Sequence, residues 1–140
     1  MDNKVKHLEM IQAVIQRMAN NSFQLKGWAV TLVGVIGALS TADDNKRFFI
    51  LAFIPIIAFW GLDSYYLQLE RKYTVLYKNI MAKKENEIDF DMDLRNSKLP
   101  EEDKKRIKYL KCVISKSEAL FYGAITVAIG VLAYILIFHP

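Results

Sequence analysis

Residues Phe48–Leu69 read FFILAFIPIIAFWGLDSYYLQL, and the reading of this stretch decides the fold. Its length matches the ~20 residues that a helix needs to cross a bilayer. One charge, Asp63, and one proline, Pro55, interrupt it. Trp60, Tyr65 and Tyr66 near its end are amphipathic rings suited to a membrane–water boundary. The stretch predicts the central transmembrane helix of a small integral membrane protein.

The composition agrees. Hydrophobic residues make up 53% of the 140, yet the mean hydropathy is only +0.13. Apolar residues are therefore gathered in blocks, not dispersed at a period of 2 or 3.6 as in a soluble domain. The length bounds the chain to one domain or a small bundle. Net charge is +4, and thirteen of the nineteen Lys and Arg lie between Arg71 and Lys116. Beside membrane spans this is the positive-inside pattern. Nucleic-acid binding is disfavoured, because neither a glycine-aromatic RNA-binding signature nor zinc spacing accompanies the charge. The single cysteine, Cys112, excludes an internal disulfide and a multi-cysteine metal site. On the cytoplasmic side it suits a reduced thiol. The opening MDNKVKHLEM does not read as a signal peptide, since the first apolar block begins only near Gly27.

Upstream, residues 3–26 are amphipathic. Leu8, Ile11, Ile15, Met18, Ser22 and Leu25 recur by three and four, and Ala29, Leu32, Ile36 and Leu39 continue the register. The pattern predicts one long helix over 3–40, with its first half in water and a span at 27–42. A soluble helix followed by a separate span, or an in-plane surface helix, are the alternatives. Gly27, Gly34, Gly37 and Ala38 form a small-residue face that would admit another helix closely. Ser40–Arg47 is a short polar turn, so the first two spans are antiparallel neighbours.

Downstream, Leu69, Tyr73, Leu76 and Ile80 carry the helical period on, predicting a second long helix over 48–82 with its span at 48–69. Residues 83–99 form a cytoplasmic connector. There, Ile88, Phe90, Met92 and Leu94 alternate with acids at a period of two. This predicts either one short strand around 87–94, which would need a partner, or an irregular loop with apolar anchors. Pro100, followed by Glu101, Glu102 and Asp103, starts a helix over 100–138. Its span, 119–138, is free of charge, and Gly123 and Gly130 lie on a second small-residue face.

The expected fold is therefore all-α: three transmembrane helices extended into a cytoplasmic helical stalk. The first helix alone would be ~57 Å long at ~1.5 Å per residue, well beyond the bilayer core of ~30 Å. The charge pattern puts the N-terminus in the cytoplasm and the C-terminus outside, in a bacterial inner membrane. The small-residue faces predict a homo-oligomer within the lipid bilayer.

Asp63 is the most informative single residue, because an acid inside a span is expensive. It is a candidate for a membrane path or gate. The competing reading pairs it structurally with Lys26 or Arg71. Pro55 could kink the second span, and Asn20 and Asn21 could bond between helices or mark a joint in the first. Trp28 and Trp60 read as interface anchors. Enzymatic chemistry is disfavoured. His7 and His139 fall on opposite sides, no metal-ligand spacing occurs, and no nucleophile elbow or phosphate loop is present. The acids Glu85, Glu87, Asp89, Asp91 and Asp93 lack the turn glycine and spacing of a calcium loop. No catalytic residue, metal or cofactor is expected.

Two stretches carry a resemblance. Asn20–Trp28, NNSFQLKGW, and Phe59–Leu67, FWGLDSYYL, followed by Glu70 and later by Phe90-Asp91-Met92-Asp93, resemble a widespread group of small uncharacterised bacterial membrane proteins. That group resembles in turn membrane proteins of anti-phage defence systems. The resemblance implies a membrane-acting effector, with Asp63 and the asparagine pair as the positions carried over.

Two functions follow as expectations. The first is an oligomeric effector that permeabilises the membrane when triggered. The second is a non-catalytic anchor or scaffold that docks a cytoplasmic protein partner, with Ile88, Phe90 and Met92 as its docking residues. A small transporter is a weaker reading, because three spans lack an inverted repeat.

Overall fold

The computed structural model describes residues 2–42, 46–95 and 99–138. Five α-helices account for most of them: α1 (Asp2–Ala42), α2 (Phe53–Ala82), α3 (Glu101–Ile107), α4 (Tyr109–Val113) and α5 (Lys116–Phe138). A 3-10 turn, Lys46–Ala52, precedes α2, and a shorter one, Glu85–Glu87, follows it. Among the described residues there is no strand. Three helical stretches, Asp2–Thr41, Phe49–Ala82 and Lys116–Phe138, are long and apolar enough to cross a membrane.

The chain divides into two compact units, and α1 and α2 each contribute to both. One unit comprises residues 1–22 and 65–112, the other 23–64 and 113–140. The cut in α1 falls between Ser22 and Phe23, beside the asparagine pair. The helix itself runs unbroken through Asn20, which is exposed, and Asn21, which is half-buried.

The first unit has a conventional apolar seam. Ile11 of α1 packs with Leu76 and Ile80 of α2, flanked by Leu8, Ile15, Tyr73 and Tyr77. The sequence periodicity of both helices therefore reports this seam directly. Burying each such side chain contributes about 1.5–3 kcal/mol. The helix ends cap one another. Glu85 Oε1 accepts the N–H groups of Asn3 and Lys4 at the start of α1 (3.2 and 3.3 Å). Lys4 Nζ donates to the carbonyls of Met81 and Lys83 at the end of α2 (both 2.8 Å). Anion at an N-terminus and cation at a C-terminus both suit the helix dipole.

The predicted strand around 87–94 is instead an irregular strap. Its period of two comes from Asx-type bonds. Asp89 Oδ1 accepts the N–H of Asp91 (3.2 Å), Asp91 Oδ1 that of Asp93 (2.8 Å), and Asp93 Oδ1 that of Arg95 (2.9 Å). These bonds satisfy alternate amides locally, so those amides are not offered to a neighbouring strand. Between the acids, Ile88, Met92 and Leu94 pack onto the Ile11 seam. Phe90 adopts a left-handed backbone, φ 55°, which costs about 1–2 kcal/mol for a residue with a Cβ.

The second unit is built around Ala29, Phe49, Ala52, Ile56, Tyr122, Ile129 and Ala133. α5 packs on the 3-10 turn Lys46–Ala52. Its outside is strongly apolar: Phe23 and Leu120 are each 79% exposed, and Trp28, Leu39, Ile54, Ile57, Val127 and Phe138 are exposed as well. So much exposed apolar surface is compatible with lipid and unlike a water-soluble monomer.

Two further expectations change. The helix over 100–138 is broken twice, at Lys108, whose ψ is 133°, and at Ile114–Ser115. The second long helix begins at Phe53, not at residue 48, and this puts Pro55 in its first turn. There the missing N–H has no intrahelical partner to lose, so no mid-span kink follows.

Candidate functional site

The α2 sequence WGLDS explains how one helix face comes to carry polar groups in an apolar setting. Trp60 and Asp63 are three residues apart and share a face of α2. Ser64 turns its hydroxyl back onto the Trp60 carbonyl (2.7 Å), so it adds no further demand for partners. The Trp60 ring N–H donates to the Val113 carbonyl (3.0 Å). That carbonyl stands just before the second helix break, where intrahelical donors run out. Trp60 also stacks on Tyr122, with ring centroids 5.8 Å apart and planes 9° from parallel. It therefore works inside the unit, whereas Trp28 is exposed.

Asp63 is completely buried. Its Oδ2 accepts from Lys26 Nζ of α1 (2.5 Å) and from the Tyr122 hydroxyl of α5 (3.0 Å). The same ammonium donates to Glu118 Oε1 of α5 (2.9 Å). Glu118 is 1% exposed. Lys26 also lies 5.8 Å from the Phe121 ring centroid and 5.9 Å from that of Tyr122, within cation–π range. One cation thus joins two carboxylates, and the four residues tie together α1, α2 and α5. Of the two pairings the sequence allowed for Asp63, the structure shows Lys26. Arg71 donates instead to the Arg106 carbonyl (2.7 Å), and Gln68 donates to that of Ile107 (2.9 Å). Both carbonyls flank the first helix break, within the other unit.

Glu118 and Tyr122 were missed in the sequence. Glu118 lies one residue before the charge-free stretch 119–138, so it does not interrupt that span, and Tyr122 is one of several aromatic residues within it. A signal was present nonetheless. Lys26 stands at the start of the first apolar block, Asp63 late in the second and Glu118 at the start of the third, so helices alternating in direction would bring the three to one end.

The other expected sites are dispersed. A Cβ added at Gly27, Gly34, Gly123 or Gly130 would meet nothing within 4 Å, while at Gly37 it would touch the Phe49 ring at 3.4 Å. Ala38 is exposed. Apart from Gly37, then, these glycines are not used for close packing within the chain. Gly34, Gly37 and Ala38 line an open apolar groove of about 530 Å³ with Ala128 and Leu132 of α5. Ile88 and Met92, expected to dock a partner, are committed to their own unit. The ring of Phe90 lies 5.4 Å from that of the buried His7, whose Nε2 is 3.2 Å from the Asp91 carbonyl. His139 lies outside the described residues. Among the described residues, no three His, Cys, Asp or Glu are grouped to hold a metal ion.

In the connector, Arg95 holds the Asp93 carboxyl below the usual aspartate range by hydrogen bonding and charge. The Asp91 N–H is the main influence that lowers Asp89 in the same way. Comparison with family models, curated proteins and solved structures finds no match.

Proposed function

We propose that this chain is a non-catalytic protein of the bacterial inner membrane. Its three apolar helices anchor a basic cytoplasmic unit that docks a soluble partner bearing an acidic surface. The observation that carries this reading is the closure around Asp63. The residue best suited to an aqueous path is fully buried and held by Lys26 and Tyr122. Such an arrangement fastens helices together and offers no polar lining to water. On the other unit, Lys104, Lys105, Arg106, Lys108 and Lys111 are all exposed, a cationic surface for a partner. The first part of α1 belongs to the same unit as residues 65–112. This supports a cytoplasmic N-terminus, and hence an outer C-terminus after three spans.

The test is ion leakage from liposomes carrying the purified protein, wild type beside Asp63→Asn. Both should leave the bilayer tight. Leakage that changes with Asp63 would sink the anchor reading. Charge reversal of Lys104, Lys105 and Arg106 should abolish partner binding while leaving membrane insertion intact.

One observation favours a second reading, the homo-oligomeric effector. Gly27, Gly34, Gly123 and Gly130 leave open space where a helix of another copy could approach. A path through the membrane would then be assembled between subunits, and disulfide cross-linking of Gly34→Cys in vesicles would detect that contact.

A further inference from the structure

The buried cluster contains one cation for two carboxylates. In their ordinary charged forms Lys26 balances only one of Asp63 and Glu118, leaving one uncompensated negative charge. Burial of such a charge is strongly disfavoured. Two oxygens, Asp63 Oδ1 and Glu118 Oε2, are buried and have no hydrogen-bond donor. The two carboxyl groups converge on the same Lys26 ammonium, which lies 2.5 Å from Asp63 Oδ2 and 2.9 Å from Glu118 Oε1. The titratable groups that meet here are Lys26 from α1, Asp63 from α2, and Glu118 and Tyr122 from α5. The neighbouring Ser64 hydroxyl is turned to the Trp60 carbonyl.

We propose that this cluster is a binding site for a single proton, carried on Glu118 and shared with Asp63. The proton cancels the surplus charge and supplies the missing donor. Glu118 is its carrier because Asp63 Oδ2 already accepts two hydrogen bonds, from Lys26 and Tyr122, whereas Glu118 Oε1 accepts one. Bonds to the anionic form favour that form. A metal cation fits less well. Among the described residues no third carboxylate, His or Cys joins the pair, and the ammonium already occupies the side where their oxygens converge. Because three helices meet at this point, loss of the proton would leave an unbalanced charge at their junction. The site goes beyond the anchor reading and does not depend on it.

Infrared difference spectra of the full chain in detergent test the proposal, with circular dichroism confirming helix content. At neutral pH the wild type should show the C=O band of a protonated carboxyl, lost on alkalinisation. Glu118→Gln and Asp63→Asn should each lack that band, because each leaves one anion facing one cation. Absence of the band from the wild type at neutral pH would overturn the proposal, as would its survival in either folded variant. Should one variant fail to fold, the other and the wild type still decide. A melting temperature that rises when sodium replaces choline at constant ionic strength, without the band, would assign the place to a metal cation instead.

Discussion

The two units solve one problem, holding helices together, with opposite chemistry. The unit of residues 1–22 and 65–112 uses an apolar seam centred on Ile11, Leu76 and Ile80, with the strap packed onto it. The unit of residues 23–64 and 113–140 turns much of its apolar surface outward and places a polar cluster inside. In water, the hydrophobic effect makes the first arrangement cohesive. In lipid, apolar faces gain little by leaving a solvent as apolar as themselves, so close packing and interhelical hydrogen bonds must hold helices together. The difference teaches that the same residue types are core in one unit and surface in the other, according to the solvent each would meet.

The comparison breaks most sharply at Lys26. Lys26→Met strands the buried negative charge that Asp63 shares with Glu118, and removing one partner of a buried ion pair typically costs about 3–5 kcal/mol. Unfolding in mixed detergent should show a loss of that size. Amide exchange in residues 65–95 should stay as in the wild type. A cost under about 1 kcal/mol would mean that the cluster does not hold the helices. The triple variant Lys26→Met, Asp63→Asn, Glu118→Gln should regain much of the stability, because it leaves no charge unpaired.

Ile11→Ala is the mirror experiment. It opens a cavity in the seam, with an expected cost of about 2–4 kcal/mol. The loss should appear as faster exchange in the first unit, with the carboxyl infrared signature of the second unchanged. Tyr122→Phe is milder. It removes one hydrogen bond to a carboxylate, worth about 1.5–3 kcal/mol when the acceptor is charged. The lower end is expected, because Lys26 still binds the same oxygen. A melting curve alone measures it, and no change would remove Tyr122 from the cluster.

The smallest effect concerns the strap. Asp89 and Asp93 are held below the usual aspartate range by hydrogen bonds to their ionised forms. A depressed value in the folded state means that their contribution is present at neutral pH and lost as pH falls through those lowered values. The amides of Asp91 and Arg95, held by Asp89 and Asp93, should therefore lose protection only in acid, below about pH 4. This is read as exchange corrected for its intrinsic pH dependence. Loosening already near neutrality would contradict the assignment.

Much of the helical architecture was legible. The 3–40 pattern yields α1, the 48–82 pattern yields α2 after a 3-10 turn, and the charge-free 119–138 stretch yields most of α5. The connector was half legible. Its period of two is real, but the same alternation suits a strand and a chain of Asx turns, and only the local bonds at Asp89, Asp91 and Asp93 separate them. Asp63 stood out as an expensive buried acid, and its pairing with Lys26 was one of the stated alternatives. The breaks near Lys108 and Ser115 were not legible. Neither follows from a proline or glycine, and the carbonyls beside them are taken up by Arg71, Gln68 and Trp60 of α2.

By itself the sequence determined most of the helical segments and which are apolar enough for lipid, because those properties depend on neighbours within a few turns. Tertiary structure alone decided how the charges combine. Lys26, Asp63, Glu118 and Tyr122 meet across separations of 37, 59 and 92 residues. No local period encodes such a meeting. It follows from burial, which leaves one ammonium as the partner of two acids.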